Sequence, residues 1–205
     1  MRSATHARLP LFPLNTVLFP GGPLRLRIFE PRYLDMVSRC MREDSGFGVA
    51  LIVAGREAGG AAQTVPIGTL ARIVDFEQLD DGLLGITARG ERRFRIVHAH
   101  QESDGLNVAQ VELLDDEPRA EVPPQHAVLA ELLRRALEQI GPAYGEVTPA
   151  YEDATWVGMR LAEILPLAPV ERQELLELHD GPERLHWLQS RLDIQESRDD
   201  DDSDN

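Results

Sequence analysis

Between Leu9 and Tyr33 the chain is strongly apolar, yet Pro10, Pro13, Pro20 and Pro23 interrupt it. Each proline removes a backbone donor and holds φ at about −65°, so no helix runs through the segment and it must consist of extended pieces joined by turns. Phe19-Pro20-Gly21-Gly22-Pro23 is the sharpest of these turns, because glycine accepts backbone angles that strain other residues. Two apolar strands, one ending near Leu18 and one beginning at Leu24, are expected to meet across this corner.

Beyond the corner, Leu24, Leu26 and Ile28 alternate with Arg25 and Arg27, the period of a strand with one buried face. Pro31 suits a helix start, and the spacing predicts a helix to Arg42 with Leu34, Val37 and Met41 on its apolar face and Ser45-Gly46 as its stop. Phe47–Ala54 reads as an inner strand and Gly55–Val65 as a mobile loop. Strands are then expected from Ile67 to Leu79, up to Ala88, from Arg92 to about His100 and from Asn107 to Leu114. Asp80-Asp81-Gly82, an Arg89-Gly90 corner and Ser103-Asp104-Gly105 separate them.

After Pro118 the pattern turns helical. Val128, Leu129, Leu132, Leu133, Ala136, Leu137 and Ile140 form an apolar stripe. Further helices are expected over Asp153–Ile164, from Pro169 to Asp180 and from Pro182 onward, with Tyr144–Thr155 as a linker. The whole is an α+β chain. Residues 1–118 form a mostly antiparallel sheet curled into an incomplete barrel with one helix, 119–195 a helical bundle, and 196–205 an acidic tail too charged to order itself.

The words Leu9-Pro-Leu-Phe-Pro-Leu14, Val17-Leu-Phe-Pro-Gly21 and Leu24-Arg-Leu-Arg-Ile-Phe-Glu-Pro-Arg-Tyr33 resemble the amino-terminal domain of the Lon protease family in its free-standing form. Phe47-Gly-Val, Ile67-Gly-Thr-Leu-Ala and Gly90-Glu-Arg-Arg-Phe-Arg-Ile96 extend the likeness, which spans most of Leu9 to Ile194. The resemblance implies a PUA-like sheet domain and a role in recognising polypeptide substrates. Some PUA-like barrels bind RNA, which supplies the alternative.

All 21 basic residues are arginine and none is lysine. A Walker A loop, a Schiff-base enzyme and a Ser-Lys dyad each need a lysine, so the sequence excludes the ATPase and peptidase chemistry that Lon proteases use. Cys40 is the only cysteine, which rules out an internal disulfide and suits a reducing, cytoplasmic setting. Met1–Arg8 has no apolar core of the secretory kind, and no run reaches the ~18 apolar residues a membrane helix needs. The net charge of −14 divides as −3, −6 and −5 over residues 1–118, 119–195 and 196–205, which disfavours nucleic acid in the mean field.

Phe19, Phe29 and Tyr33 are aromatic residues of the Leu9–Tyr33 run. Core packing is their ordinary role, but any ring left at the surface would suit recognition of an extended polypeptide. Arg89, Arg92, Arg93 and Arg95 form the strongest basic cluster and carry the RNA alternative, weakened because Arg92 and Arg93 point to opposite faces of a strand. His98 and His100 share a strand face but lack the further ligands of a metal site. His179-Asp180 and His186 lack an accompanying nucleophile. The reading is a non-catalytic polypeptide-binding module with no cofactor, no metal and no membrane association.

Overall fold

The computed structural model describes residues 5–54, 63–141 and 147–202. It divides into two compact units, Met1–Asp116 and Glu117–Asn205. The boundary falls two residues before the Pro118 that the sequence predicts. The proposed Gly55–Val65 loop and the Tyr144–Thr155 linker lie partly outside the described residues.

The first unit contains β1 (Thr5–Leu14), β2 (Pro23–Ile28), α1 (Pro31–Glu43), β3 (Phe47–Ala54), β4 (Gln63–Thr64), β5 (Ile67–Gln78), β6 (Leu84–Gln101) and β7 (Asn107–Leu113). The strands run in the order β1-β7-β6-β5-β3-β4, and β1 also pairs β3 in parallel, Leu11 against Gly48 through Leu14 against Leu51. That pair closes five strands into a ring, within the mixed helix and mostly antiparallel sheet that the sequence predicts. A parallel pair needs a crossover connection. Here β2 and α1 supply it between β1 and β3.

Two further differences have local causes. The predicted corner at Arg89-Gly90 is part of one continuous strand, β6. Gly90 instead lets β6 pass close to the preceding turn, since a Cβ there would sit 2.1 Å from the Phe19 carbonyl oxygen. The register with β5 shifts beside it, between Thr69 and Ala71. In α1 the buried face is Tyr33, Met36, Val37 and Cys40, at three- and four-residue spacing, while Leu34 and Met41 are exposed. The helix ends at Asp44, whose φ of 47° is left-handed, and Ser45 N–H closes it on the Cys40 carbonyl.

One core cluster joins α1 to the sheet through Phe12, Leu14, Leu18, Ile28, Tyr33, Met36, Val37, Phe47 and Ile86. A second gathers Leu9, Leu11, Phe94, Ala109 and Val111. Phe94 fills this second cluster so fully that a Cβ on Gly68 would lie 2.7 Å from its ring.

The second unit holds a 3-10 turn (Pro124–His126), α2 (Ala127–Ile140), α3 (Ala154–Ile164), α4 (Pro169–Glu177) and α5 (Gly181–Asp202). Asp153 caps α3 by accepting the Thr155 N–H at 3.0 Å. α3 is buried on nearly every side and is contacted by α2, α4 and α5. α5 runs on to Asp202, into the acidic run from Glu196 that the sequence predicts as a disordered tail.

Candidate functional site

The proline and glycine corner is tied to β6 by main-chain hydrogen bonds. Gly21 N–H donates to Gly90 O at 2.7 Å, Gly90 N–H to Gly22 O at 2.9 Å, and Gly22 N–H to Phe19 O at 3.0 Å. Gly21 takes φ 77°, the left-handed angle that the turn requires. The corner therefore launches β2 antiparallel to β6, with Leu24 opposite Ala88 and Leu26 opposite Ile86. Among the described strands β6 is the only partner of β2, which leaves β2 an edge strand.

The side chains of β2 follow the predicted alternation. Leu24 and Leu26 pack against the core cluster, while Arg25 and Arg27 are exposed. Arg27 pairs with Asp81 of the β5–β6 turn, whereas Arg25 makes no ion pair with a described residue. Past Ile28, Phe29 stands 59% exposed just before Glu30, the residue that precedes Pro31 at the first turn of α1. Glu30 is engaged by Arg32 at 2.9 Å, and Arg32 also donates to the Gly105 carbonyl at 2.7 Å.

Two cavities flank β2. One, of about 300 Å³, is lined by Phe12, Leu14, Leu26, Phe29 and Tyr33 together with the charged Arg25, Arg27 and Glu30. It is the more apolar of the two. Tyr33 forms part of its wall, stacked on Phe12 with ring centroids 4.0 Å apart and planes 13° from parallel. The other, of about 560 Å³, is lined by Arg25, Arg27, Glu77, Leu79, Asp81 and Gly85 among others. Arg25, Leu26 and Arg27 line both.

The structure separates the predicted aromatic trio. Phe19 is 0% exposed and belongs to the packing under the corner, so it cannot meet a ligand directly. Tyr33 is 3% exposed and reaches only the cavity wall. Phe29 alone stands in solvent. The arginine cluster is not brought together either. Arg93 is buried, Arg92 donates to the Leu114 carbonyl at 2.9 Å, Arg89 is half-buried and Arg95 is exposed.

His98 and His100 have ring centroids 6.2 Å apart on an exposed face, and no group of three metal-ligating side chains occurs among the described residues. Asp180 accepts the Glu183 N–H at 2.8 Å and so caps the start of α5, while His186 is exposed with its ring 6.1 Å from His126. Burial pushes the Cys40 thiol above its ordinary pKa, the opposite of what a nucleophilic cysteine needs.

The sequence gives no warning of a further apolar depression of about 410 Å³ on the second unit, lined by Leu178, Glu183, His186, Trp187, Ser190 and Arg191. Residues from the α4–α5 connection and from α5 meet there, and helical periodicity within either element does not show such a meeting. The edge position of β2 was equally hidden, although the Arg-Leu-Arg alternation marked its exposed face. No described helix is long and apolar enough to cross a membrane.

A family model for the ATP-dependent protease La (LON) substrate-binding domain matches residues 8–193. Lon protease 2 of Myxococcus xanthus is 31% identical over 186 residues, which cover 86% of this chain and 22% of that protein. The chain thus spans about a fifth of the length of that relative. A crystal structure of a Lon N-terminal domain protein from Xanthomonas campestris is 40% identical, with a TM-score of 0.75, covering 90% of this chain and 98% of that one. The N-terminal domain of a Mycobacterium avium complex Lon protease shares the fold at a TM-score of 0.61 and 20% identity, covering 89% of this chain and 96% of that one.

Proposed function

The chain belongs to the family of Lon substrate-binding domains, and from that premise we propose that it binds extended or unfolded polypeptide without catalysing a reaction. The observation that carries the reading is the apolar cavity of Phe12, Leu14, Leu26, Phe29 and Tyr33, which opens at a sheet corner beside a ring left in solvent. A cavity of about 300 Å³ admits one or two large side chains. Its lining offers no nucleophile, metal set or phosphate loop. The absence of lysine from the sequence supports the non-catalytic part.

The expected energies are modest. Covering one large apolar side chain contributes about 1.5–3 kcal/mol, which alone corresponds to binding weaker than about 1 mM. Several residues of the ligand must therefore be held at once, as in an extended or unfolded chain. A folded protein hides the side chains that the cavity would take. The single, buried cysteine suits a cytoplasmic setting for such a module.

The test presents the purified protein with a reduced, alkylated model protein and with the same protein in its native fold. Retention of the unfolded form alone is the expected result. Equal retention of both forms, or of neither, removes the support for polypeptide capture.

A further inference from the structure

The apolar cavity explains what a ligand side chain would gain, but not how the ligand main chain is held. The ladder between β2 and β6 supplies that second element. Gly90 N–H donates to Gly22 O at 2.9 Å, and residues opposite one another in an antiparallel ladder alternate between hydrogen-bonded and open pairs. With Gly22 bonded to β6, Leu24 and Leu26 face β6 in turn. The N–H and C=O groups of Arg25 and Arg27 then point to the opposite edge of β2, which pairs with no described strand.

We infer that an extended polypeptide adds to this edge as a further strand, selected by an acidic side chain beside Arg25 and a neighbouring large apolar side chain in the Phe12–Phe29–Tyr33 cavity. The inference rests on the polypeptide-binding reading and specifies its mode. Side chains alternate between the faces of an added strand, so consecutive ligand residues reach the Arg25 face and the cavity face. An acidic residue next to an apolar one is thus the shortest pattern that satisfies both.

Charge selects this occupant over a second copy of the chain. Arg25 and Arg27 lie on the same face of β2, so two β2 edges paired about a two-fold axis would set arginines against arginines, which destabilises an antiparallel pair. The charge of Arg27 is already met by Asp81, whereas Arg25 is exposed and makes no ion pair with a described residue. The acid nearest in the same cross-strand row is Asp75, reached from Arg25 through Thr87. At about 4.8 Å per strand an added strand lies roughly 14 Å from Asp75, beyond the ~8 Å Debye length at physiological salt. Asp75 therefore does little to repel an incoming carboxylate. Of the acids that line the cavities with Arg25, Asp81 is paired with Arg27 and Glu30 with Arg32, leaving Glu77 and Asp80 as the opposing charges.

The probe is a fluorescein-labelled peptide of alternating Thr and Val in which one Thr-Val pair is replaced by Glu-Leu, titrated with the full chain by anisotropy. Single N-methyl groups placed along the peptide should weaken binding with a period of two, by about tenfold at positions whose N–H faces β2 and little at the positions between. Glu to Lys in the peptide should weaken binding to the wild-type protein and restore it to an Arg25→Glu protein. Binding of the unfolded model protein with no two-residue periodicity in the peptide series, or with no charge-swap rescue, overturns the strand-addition mode and leaves polypeptide capture standing. Failure of both peptide and unfolded protein to bind overturns the two together. A dimer in sedimentation that Arg25→Glu dissociates identifies a second copy as the occupant and overturns the assignment to an acidic segment.

Discussion

Arg184 grips both carboxylate oxygens of Glu117, at 2.9 Å through Nη1 and 2.7 Å through Nη2, across 67 positions of sequence. Neither side chain reaches solvent to any extent, at 0% and 2% exposure. Arg184 also donates to the carbonyls of Leu175 and Leu178, where α4 ends. One guanidinium thus closes a helix terminus and anchors the first residue of the second unit to α5.

Removing one partner strands a buried charge. Arg184→Met should destabilise the protein by about 3–5 kcal/mol in denaturant unfolding, and the Arg184→Met, Glu117→Leu pair by less than the sum of the single changes. Additive losses would show that the two groups act independently.

At the corner, Gly90→Ala forces a Cβ to within 2.1 Å of the Phe19 carbonyl oxygen, a backbone atom that moves only with the turn. A loss of about 1–3 kcal/mol is expected from thermal unfolding. Gly82→Ala is the comparison, because its Cβ meets nothing and only its φ of 83° is strained, at a cost of about 1–2 kcal/mol. A Gly90→Ala protein as stable as wild type would contradict the close approach of the corner to β6.

Phe29 and Phe19 should separate binding from folding. Phe29→Ser removes an exposed ring and should change stability by no more than about 0.5 kcal/mol, while weakening retention of an unfolded model protein. Truncating the enclosed Phe19 to Ala should cost about 3–5 kcal/mol. If Phe29→Ser retains full binding, the ring has no part in the site.

Acid stability should depend on Glu171. The Ala168 N–H at 2.8 Å, followed by Arg191 Nε at 2.8 Å, holds its carboxyl below the ordinary carboxylate range. Because the folded pKa lies below the unfolded one, the contribution is fully present above the unfolded value of about 4.3 and is lost as pH falls through the folded pKa. Melting temperatures between pH 7 and pH 3 should fall less steeply for Glu171→Gln, whose amide oxygen still accepts the Ala168 N–H. Parallel curves for the two proteins would assign the acid sensitivity elsewhere.

Much of the fold could be read in the sequence because its signals are local. Pro31 at the start of α1, the alternation of Leu24 to Ile28, and the Pro169 and Gly181 boundaries of α4 and α5 act within a few residues of themselves. The site was less legible. Leu34 and Met41 have helical spacing equal to that of the residues actually buried, and only the position of the sheet chose between the two stripes. Arg89, Arg92, Arg93 and Arg95 form a cluster in sequence but not on one surface, since their surroundings differ at each position.

By itself the sequence determined that Leu9 to Ile28 consists of extended pieces turning at Gly21-Gly22, that a helix begins at Pro31, and that lysine chemistry is absent. A missing backbone donor, a fixed φ and a missing amine need no partner to take effect. Only the tertiary structure decided that Phe19 is enclosed while Phe29 stands in solvent, that β1 closes the ring on β3, and that one edge of β2 pairs with no described strand. Burial and strand pairing depend on which distant segments arrive beside a residue, and that is settled when the whole core packs together.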